Sequence, residues 1–498
     1  MGWARAAVGL VAVLVAGALL VSGDSGTDPE TPAGLPGLPP PFLGVAVLGD
    51  GNLTAAVDAY GDVVDLRSEP AGRALIENSS GRQAAGTVPA DTGIQPWVQV
   101  GGEELPMWRA DKVRQRYLPG TSVLRTEARF GRDWVGIDQA VHEGRLAVAA
   151  MGANASTVRL RVNAGGGTLT RSPGVIAAAA ASDRLWLARR KPLGGGAPAW
   201  ARRMYGRSLL VLRALTDCEN GAVAAGARDG WAYVWPRDAA ATAIAYAKAG
   251  YRPEAELSTR FLFGLELEQA ARFHGDGSPV PGRSAQGDAI GWVAAAAKAA
   301  GLIGSESNVA KILGGGSPIP WRDRADYWEG EPGDYLGNAI SARTDVSEFS
   351  RHIWGENSDT PWGLGLVRVS GDSESGLDPA AGWAVRPFSQ PRLYPAVRAT
   401  LNRLNSQGTP YGITPGEAWP GGGDPWSAPT AWTAWSLAAL GERHEALRLM
   451  GALRRSATPA GDLPERTDAE TGVPRSTTPL AWSHAFAILA LRQLWPND

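Results

Sequence analysis

The hydrophobic period of this chain changes once, and that change limits the folds open to it. From Leu43 to about Arg190 apolar residues recur at every second position, as in Thr157-Val158-Arg159-Leu160-Arg161-Val162. This is the pattern of strands with one buried face. Beyond Gly194-Gly195-Gly196-Ala197-Pro198 the period becomes helical, with Ala-rich runs closed by Gly and reopened by Asp or Pro. Strands are expected at Leu43–Gly49, Asn52–Ala59, Pro96–Val100, Ser122–Phe130, Trp134–Ala140 and Leu146–Met151, which together make an all-β sandwich. Helices are expected at Asp238–Gly250, Pro253–Gln269, Asp288–Gly301, Leu393–Leu404, Thr430–Gly441, Glu442–Leu453 and Pro479–Leu494. Such an array of αα-hairpins either stacks as an open solenoid or closes into a toroid whose funnel is lined by the loops at one end.

The ends of these patterns set the expected boundaries: 1–23 as a signal peptide or membrane anchor, 24–42 as a Pro-rich linker, 43–195 as the β-sandwich and 200–498 as the helical part. The first segment carries Arg5 and then an apolar run from Ala6 to Val21, about 16 residues, which fits a signal h-region and lies near the lower limit for crossing a bilayer. The expectation is export, with the segment either cut near Val21-Ser22-Gly23 or kept in the membrane. The sequons at Asn52, Asn78 and Asn154 are read as chance in a chain rich in Ser and Thr.

Composition removes several kinds of chemistry. The 48 basic and 50 acidic residues balance without long runs of one sign, so the electrostatic footprint of a nucleic-acid partner is absent. Cys218 is the sole cysteine and five histidines are scattered, which leaves no disulfide, thiolate cluster or His-x-x-x-His pair for a metal. No phosphate-binding glycine loop, dinucleotide fingerprint or serine elbow occurs. The 20 tryptophans are the unusual number. Their indole faces suit the apolar faces of sugar rings, and they serve equally well as filling for a large helical core.

Two loop carboxylates are candidates for chemistry, Glu329 in Asp326-Tyr327-Trp328-Glu329-Gly330 and Glu465 in Asp462-Leu463-Pro464-Glu465. One protonated and one ionised carboxyl facing a glycosidic bond supply what its hydrolysis requires, and no cofactor is needed. From sequence neighbours, Trp328 favours a neutral acid at Glu329 and Arg466 favours an anion at Glu465. Trp235-Pro236-Arg237-Asp238 and Gln286-Gly287-Asp288 each put an aspartate where it can cap a helix. Arg237 beside Asp238 also offers the donors and acceptors that grip vicinal hydroxyls.

Taken in order, Trp-Pro-Arg-Asp at 235–238, Gln-x-Asp at 286–288, Asp-Tyr-Trp-Glu at 326–329, Gly-Gly-x-Pro-Trp at 422–426 and Leu-Pro-Glu…Thr-Gly…Pro-Leu-x-Trp-Ser at 463–483 resemble glycoside hydrolase family 15, the glucoamylase-like family. The resemblance implies an (α/α)6 barrel behind the β-sandwich that bacterial members carry. It also implies exo-hydrolysis of α-glucosidic linkages with inversion. Glu329 then matches the general acid and Glu465 the base. Arg237 and Asp238 match the pair holding the terminal glucose, Trp235 stands beside them, and Trp328 and Trp426 fall at aromatic walls of the pocket. Gln286 and Asp288 belong to the same substrate-binding set. Inversion requires a water between base and anomeric carbon, hence carboxyls about 6.5–9.5 Å apart.

The chain departs from the family in three places. Ile413-Thr414-Pro415 stands where an Arg-Tyr-Pro sequence is expected, so one substrate-holding arginine does not carry over. Arg466 follows Glu465 in place of a glutamine, a cation compatible with an acidic sugar. The helical part is short, so a helix or pocket loop is expected to be missing. A trehalose- or dextran-cleaving enzyme on the same fold, a degenerate sugar-binding protein, and a surface protein that docks others through its β-part therefore stay open. The oligomeric state is open too, and so is a structural calcium ion.

Overall fold

The structure is a computed structural model and describes residues 46–77, 93–151, 158–162, 173–228, 230–303, 319–354 and 361–497. The N-terminal apolar run, the Pro-rich linker and the sequons at Asn78 and Asn154 lie outside the described residues.

Among the described residues the β-part has eleven strands: β1 Ala46–Gly49, β2 Thr54–Val57, β3 Val63–Arg67, β4 Ala74–Glu77, β5 Ile94–Val100, β6 Glu103–Pro106, β7 Lys112–Tyr117, β8 Leu124–Phe130, β9 Asp133–His142, β10 Arg145–Met151 and β11 Val158–Val162. They form a seven-stranded sheet in the order β1-β2-β3-β5-β11, with β4 on β3 and β6 on β5, and a four-stranded sheet β10-β9-β8-β7. Every pairing is antiparallel. Period two is clearest in β8, where Leu124, Thr126, Ala128 and Phe130 point inward. Leu48, Val57 and Ile94 of the first sheet meet Leu124, Val141 and Leu146 of the second in a shared core, the layer expected of a sandwich. Strands β3, β4, β6 and β7 were not in the expected set. The inward positions of β7 include the buried polar Gln115, which donates to the Asp58 carbonyl at 2.8 Å and hides the alternation.

The strand pattern also ends sooner than the sequence implies, because 173–188 is helical. Helix α1, Pro173–Ala188, starts on a proline and runs through five consecutive alanines. Ile176, Ala179 and Ala180 cover the face of the four-stranded sheet turned away from the sandwich core.

The remaining chain is an (α/α)6 barrel. Its helices among the described residues are α2 Ala199–Leu215, α3 Pro236–Ala249, α4 Arg252–Phe263, α5 Ala289–Ala300, α6 Leu336–Ser341, α7 Tyr394–Ser406, α8 Ser427–Ala439, α9 Arg443–Ser456 and α10 Ala481–Leu494. Contacts run from α3 to α5, α6, a short 3-10 helix at Pro379–Ala384, α8 and α10, and α10 packs back on α3. That closes the toroid. The inner helices α3, α5, α8 and α10 are buried nearly all round, whereas α4, α7 and α9 carry one apolar stripe and lie outside. A three-stranded antiparallel sheet, β12 Ser350–Trp354, β13 Pro361–Val369 and β14 Asp372–Leu377, precedes the 3-10 helix and packs on α6 and α7. It stands between α6 and the 3-10 helix, where the alternation of helices is broken. A final pair, β15 Arg466–Thr467 and β16 Pro474–Arg475, sits before α10.

The glycine run at the change of period is tied to the end of the chain: the Gly194 N–H donates to the Trp495 carbonyl at 3.1 Å, and Trp200 meets Trp495 edge-on. The β-part is also keyed to the barrel. Asp462 is buried, pairs with Arg207 of α2 at 3.3 Å, and accepts from the Tyr117 hydroxyl of β7 at 2.8 Å. Arg207 lies over the Tyr117 ring at 3.7 Å. Among the described residues no helix is long and apolar enough to cross a membrane, and no group of acidic, His or Cys side chains is arranged to hold a metal.

Candidate active site

Helix α3 begins at Pro236, with Trp235 extended before it, so the residues ahead of the helix face the funnel. Asp238 is not a cap. It sits inside the first turn, fully buried, and burial pushes its carboxyl up to about 7 against the opposing charge of Arg237. Asp288 does occupy the cap position of α5 but makes no capping bond; its Oδ2 accepts from Arg237 at 2.9 Å. Gln286 Oε1 accepts from the same Arg237 nitrogen at 2.9 Å, while its amide donates to the Asp326 carbonyl at 3.1 Å. Arg237 is thereby clamped, with its side chain 3% exposed.

The loop carrying Glu329 is held from two sides. Arg368 of β13 grips Asp326 with two nitrogens at 2.8 and 3.0 Å, and Asp326 accepts from the Trp328 N–H at 3.1 Å. The Glu329 N–H closes a turn onto the Asp326 carbonyl at 2.9 Å. Glu329 ends in the left-handed region, φ 59°, a costly conformation for a residue with a side chain. The three-stranded sheet is thus what carries Arg368 to this loop.

Glu465 lies in a segment sewn into its neighbours. Its N–H donates to the Thr477 carbonyl at 2.9 Å, and its carbonyl accepts from the Ser427 N–H at the start of α8 at 2.9 Å. Trp231 Nε1 donates to Oε1 at 3.3 Å and the Ser476 hydroxyl donates to Oε2. Ser476 also has positive φ, 92°.

These loops enclose a cavity of about 320 Å³, at the small end of ligand sites. Of the residues singled out from sequence, Trp235, Arg237, Asp238, Trp328, Glu329, Trp426 and Glu465 line it. Gln286 and Asp288 do not; they stand behind Arg237. Trp231, Trp419, Trp482, Tyr327, Arg283, Arg466 and Ser476 line it as well. Of these only Arg466 had been weighed as a neighbour of the site. Trp231 opens the same Trp-Ala-Tyr-Val-Trp segment as Trp235, and Trp482 belongs to the Pro-Leu-x-Trp-Ser motif. Arg283 and Ser476 lie in loops with no local signature.

The electrostatics differ from what sequence neighbours implied, although Arg466 does favour the anion at Glu465. Trp328 packs edge-on to Trp419, with Arg368 3.9 Å from its ring centroid. Glu329 instead accepts from Trp235 Nε1 at 2.6 Å and is ion-paired with Arg283, contacts suited to an ionised carboxylate. Glu465 lies raised above the ordinary glutamate value. Burial pushes it up, and the Ser476 and Trp231 donors with the Arg466 and Arg283 charges only partly offset this. Ile413, where an arginine is expected, is 2% exposed and joins Trp426 in a β-bridge, so its side chain belongs to the core.

No protein-family model matches the sequence, and no curated protein matches it. Solved structures do. A bacterial glucoamylase complexed with acarbose is 14% identical, with 94% of this chain and 97% of that one covered at a TM-score of 0.64. A wild-type glycosidase is 19% identical, covering 60% of this chain and 99% of its own, with a TM-score of 0.48. A glucoamylase from Saccharomycopsis fibuligera is 14% identical over 59% of this chain and 95% of its own, with a TM-score of 0.47. The first likeness extends through both parts of the chain and shows a common fold, the β-sandwich followed by the (α/α)6 barrel.

Proposed function

We propose that the chain is an exo-acting, inverting glycoside hydrolase of α-glucosidic linkages, with Glu329 as general acid and Glu465 as general base. One observation carries this reading: two carboxyls from loops more than a hundred residues apart line a single cavity walled by tryptophans, over a buried Arg237 and Asp238. The indoles of Trp235, Trp328 and Trp426 offer flat apolar walls to a pyranose ring. Arg237 and Asp238 offer donors and an acceptor to the hydroxyls of the terminal glucose, and Gln286 and Asp288 keep Arg237 aimed. Glu329 would give its proton to the glycosidic oxygen as the bond to the anomeric carbon breaks. Glu465 would take a proton from the water that attacks the opposite face, releasing β-glucose.

The likeness of fold to a bacterial glucoamylase supports starting with α-glucans. The test is NMR of the purified protein with maltooligosaccharides, isomaltose, dextran and trehalose. Initial release of the β-anomer supports the reading, initial α-anomer sinks inversion, and no release from any of them sinks hydrolysis. The linkage cut first separates a glucoamylase from a trehalose or dextran enzyme. A second reading, a sugar-binding protein without turnover, draws on the buried Ile413 and on the ion pair that occupies Glu329. Retained saccharide binding with no product would select it. Export of the folded parts, proposed from the apolar run at 6–21, is checked by fractionating cells that express the full chain.

A further inference from the structure

The acid side of the cavity holds more positive charge than a neutral glucan needs. Arg283 lines the cavity with its side chain 41% exposed, and Glu329 is its one ion-pair partner among the described residues. Behind it, Arg272 pairs with no carboxylate among the described residues. Its guanidinium lies 4.6 Å from the Tyr233 ring centroid and 5.6 Å from that of Trp235, and Nη1 donates weakly to the Gly230 carbonyl at 3.4 Å. Its Nε is buried with no hydrogen-bond partner. Arg283 lies 5.8 Å from the same Trp235 ring centroid. Burial first, and then the charge of Arg272, hold Arg283 below the ordinary arginine value against the opposing charge of Glu465, so the two cations already repel each other.

The proposed reaction makes this worse. To act as an acid Glu329 must carry a proton, and a protonated carboxyl no longer balances Arg283. Two guanidiniums would then share one indole with no ion-pair partner among the described residues, and only the field of Glu465 across the cavity to oppose them, which is expensive in a partly dehydrated site. The acid stands by the leaving-group oxygen, so the cations lie on the leaving-group side, and a substrate can supply the missing anion there.

Resting on the hydrolase reading above, we propose that the saccharide cleaved is acidic: a carboxylate on its leaving-group portion replaces Glu329 as the partner of Arg283, with Arg272 behind. The exchange frees Glu329 to take a proton from solvent and pass it to the glycosidic oxygen. Substrate charge thereby arms the acid, and a neutral saccharide leaves the Arg283–Glu329 pair closed. Arg466 adds a cation on the base side. Its ion pair with Asp424 is 3.7 Å long, and Asp424 is already bonded to Arg475 at 3.1 Å.

The test compares maltose with the disaccharide in which glucose is α-1,4-linked to glucuronic acid. A charge-assisted contact predicts a kcat/KM for the acid higher by about tenfold or more. That preference should shrink as sodium chloride is raised, because salt screens it. Arg272→Gln should bring the acid-to-neutral ratio toward one, and Arg283→Lys, which keeps the charge but loses the planar fork, should lower it. Equal or faster cleavage of maltose, or an acid preference insensitive to salt, overturns the proposal. Should neither sugar be cleaved, the α-1,4 linkage is ruled out, the linkage panel above decides the hydrolase reading separately, and calorimetry on the wild-type protein still decides charge selection. Tighter binding of the acid upholds selection, and equal binding refutes it.

Discussion

Glu465 is the residue whose surroundings make the sharpest prediction. A general base works only when ionised, so kcat/KM falls as pH drops through the pKa of Glu465, and burial has raised that value above the ordinary glutamate one. Ser476→Ala removes a donor that favours the anion, and the acid limb of the pH profile is expected to move to higher pH. A limb that stays or moves down would deny Glu465 the role. Glu329→Gln is expected to lower kcat by about 10²–10⁴-fold while saccharide binding, measured by calorimetry, persists. Cavity residues were readable from sequence where they sat in dense local motifs, as Trp235, Arg237, Asp238 and Glu329 do. Arg283 and Ser476 escaped because their importance lies in what they touch. Arg283 is 46 residues from Glu329 and Ser476 is 11 from Glu465, with no pattern joining either pair.

Among the elements, periodicity located α3, α4, α5 and α7 to α10 but missed the two longest described helices, α1 and α2, and the shortest, α6. Helix α3 closes on Gly250 in the left-handed conformation, φ 93°, so its end was visible as a glycine after an alanine run. Helix α6 has six residues, too few to show a period, and β12 to β14 are interrupted by Gly and Ser. The inner ring depends on close approach: a methyl added at Gly291 of α5 would stand 2.5 Å from the Ser341 carbonyl oxygen at the end of α6. Alanine is better than glycine inside a helix by about 1 kcal/mol. Overpacking costs about 1–3 kcal/mol, and here the obstacle is backbone. Gly291→Ala is therefore expected to destabilise, read as a lower urea midpoint; a higher midpoint would mean that α5 and α6 have room to part.

Across the molecule, buried carboxyls set how stability responds to pH. Burial pushes Asp238 and Asp378 up to about 7, from 3.8 for the unbonded group, and Asp58 is raised by burial together with the neighbouring Asp62. Between 3.8 and about 7 the folded chain holds protons that the unfolded chain has released. Their stabilising contribution is full below the lower value and lost as pH rises through the upper one. The thermal midpoint is expected to fall as pH is raised from about 5 to about 8, and Asp378→Asn should flatten that slope. A midpoint that climbs over this interval would contradict the burial.

The same long-range view bears on Tyr117. Its hydroxyl reaches Asp462 three residues ahead of Glu465, and the Leu463 N–H donates to His484 Nε2 at 2.9 Å. Tyr117→Phe leaves a buried carboxylate short of a donor, a loss of about 1–3 kcal/mol, and is expected to reduce kcat more than it alters KM. Unchanged kcat would show the base loop to be self-supporting. The period change at residue 194 invites cutting the chain there, yet the anchor of the proposed base lies on the far side of that cut. A barrel produced alone, or grafted onto a foreign partner, would inherit a slack Glu465 loop unless the graft brought a phenol to the same spot, so the two halves are expected to be inherited as a unit.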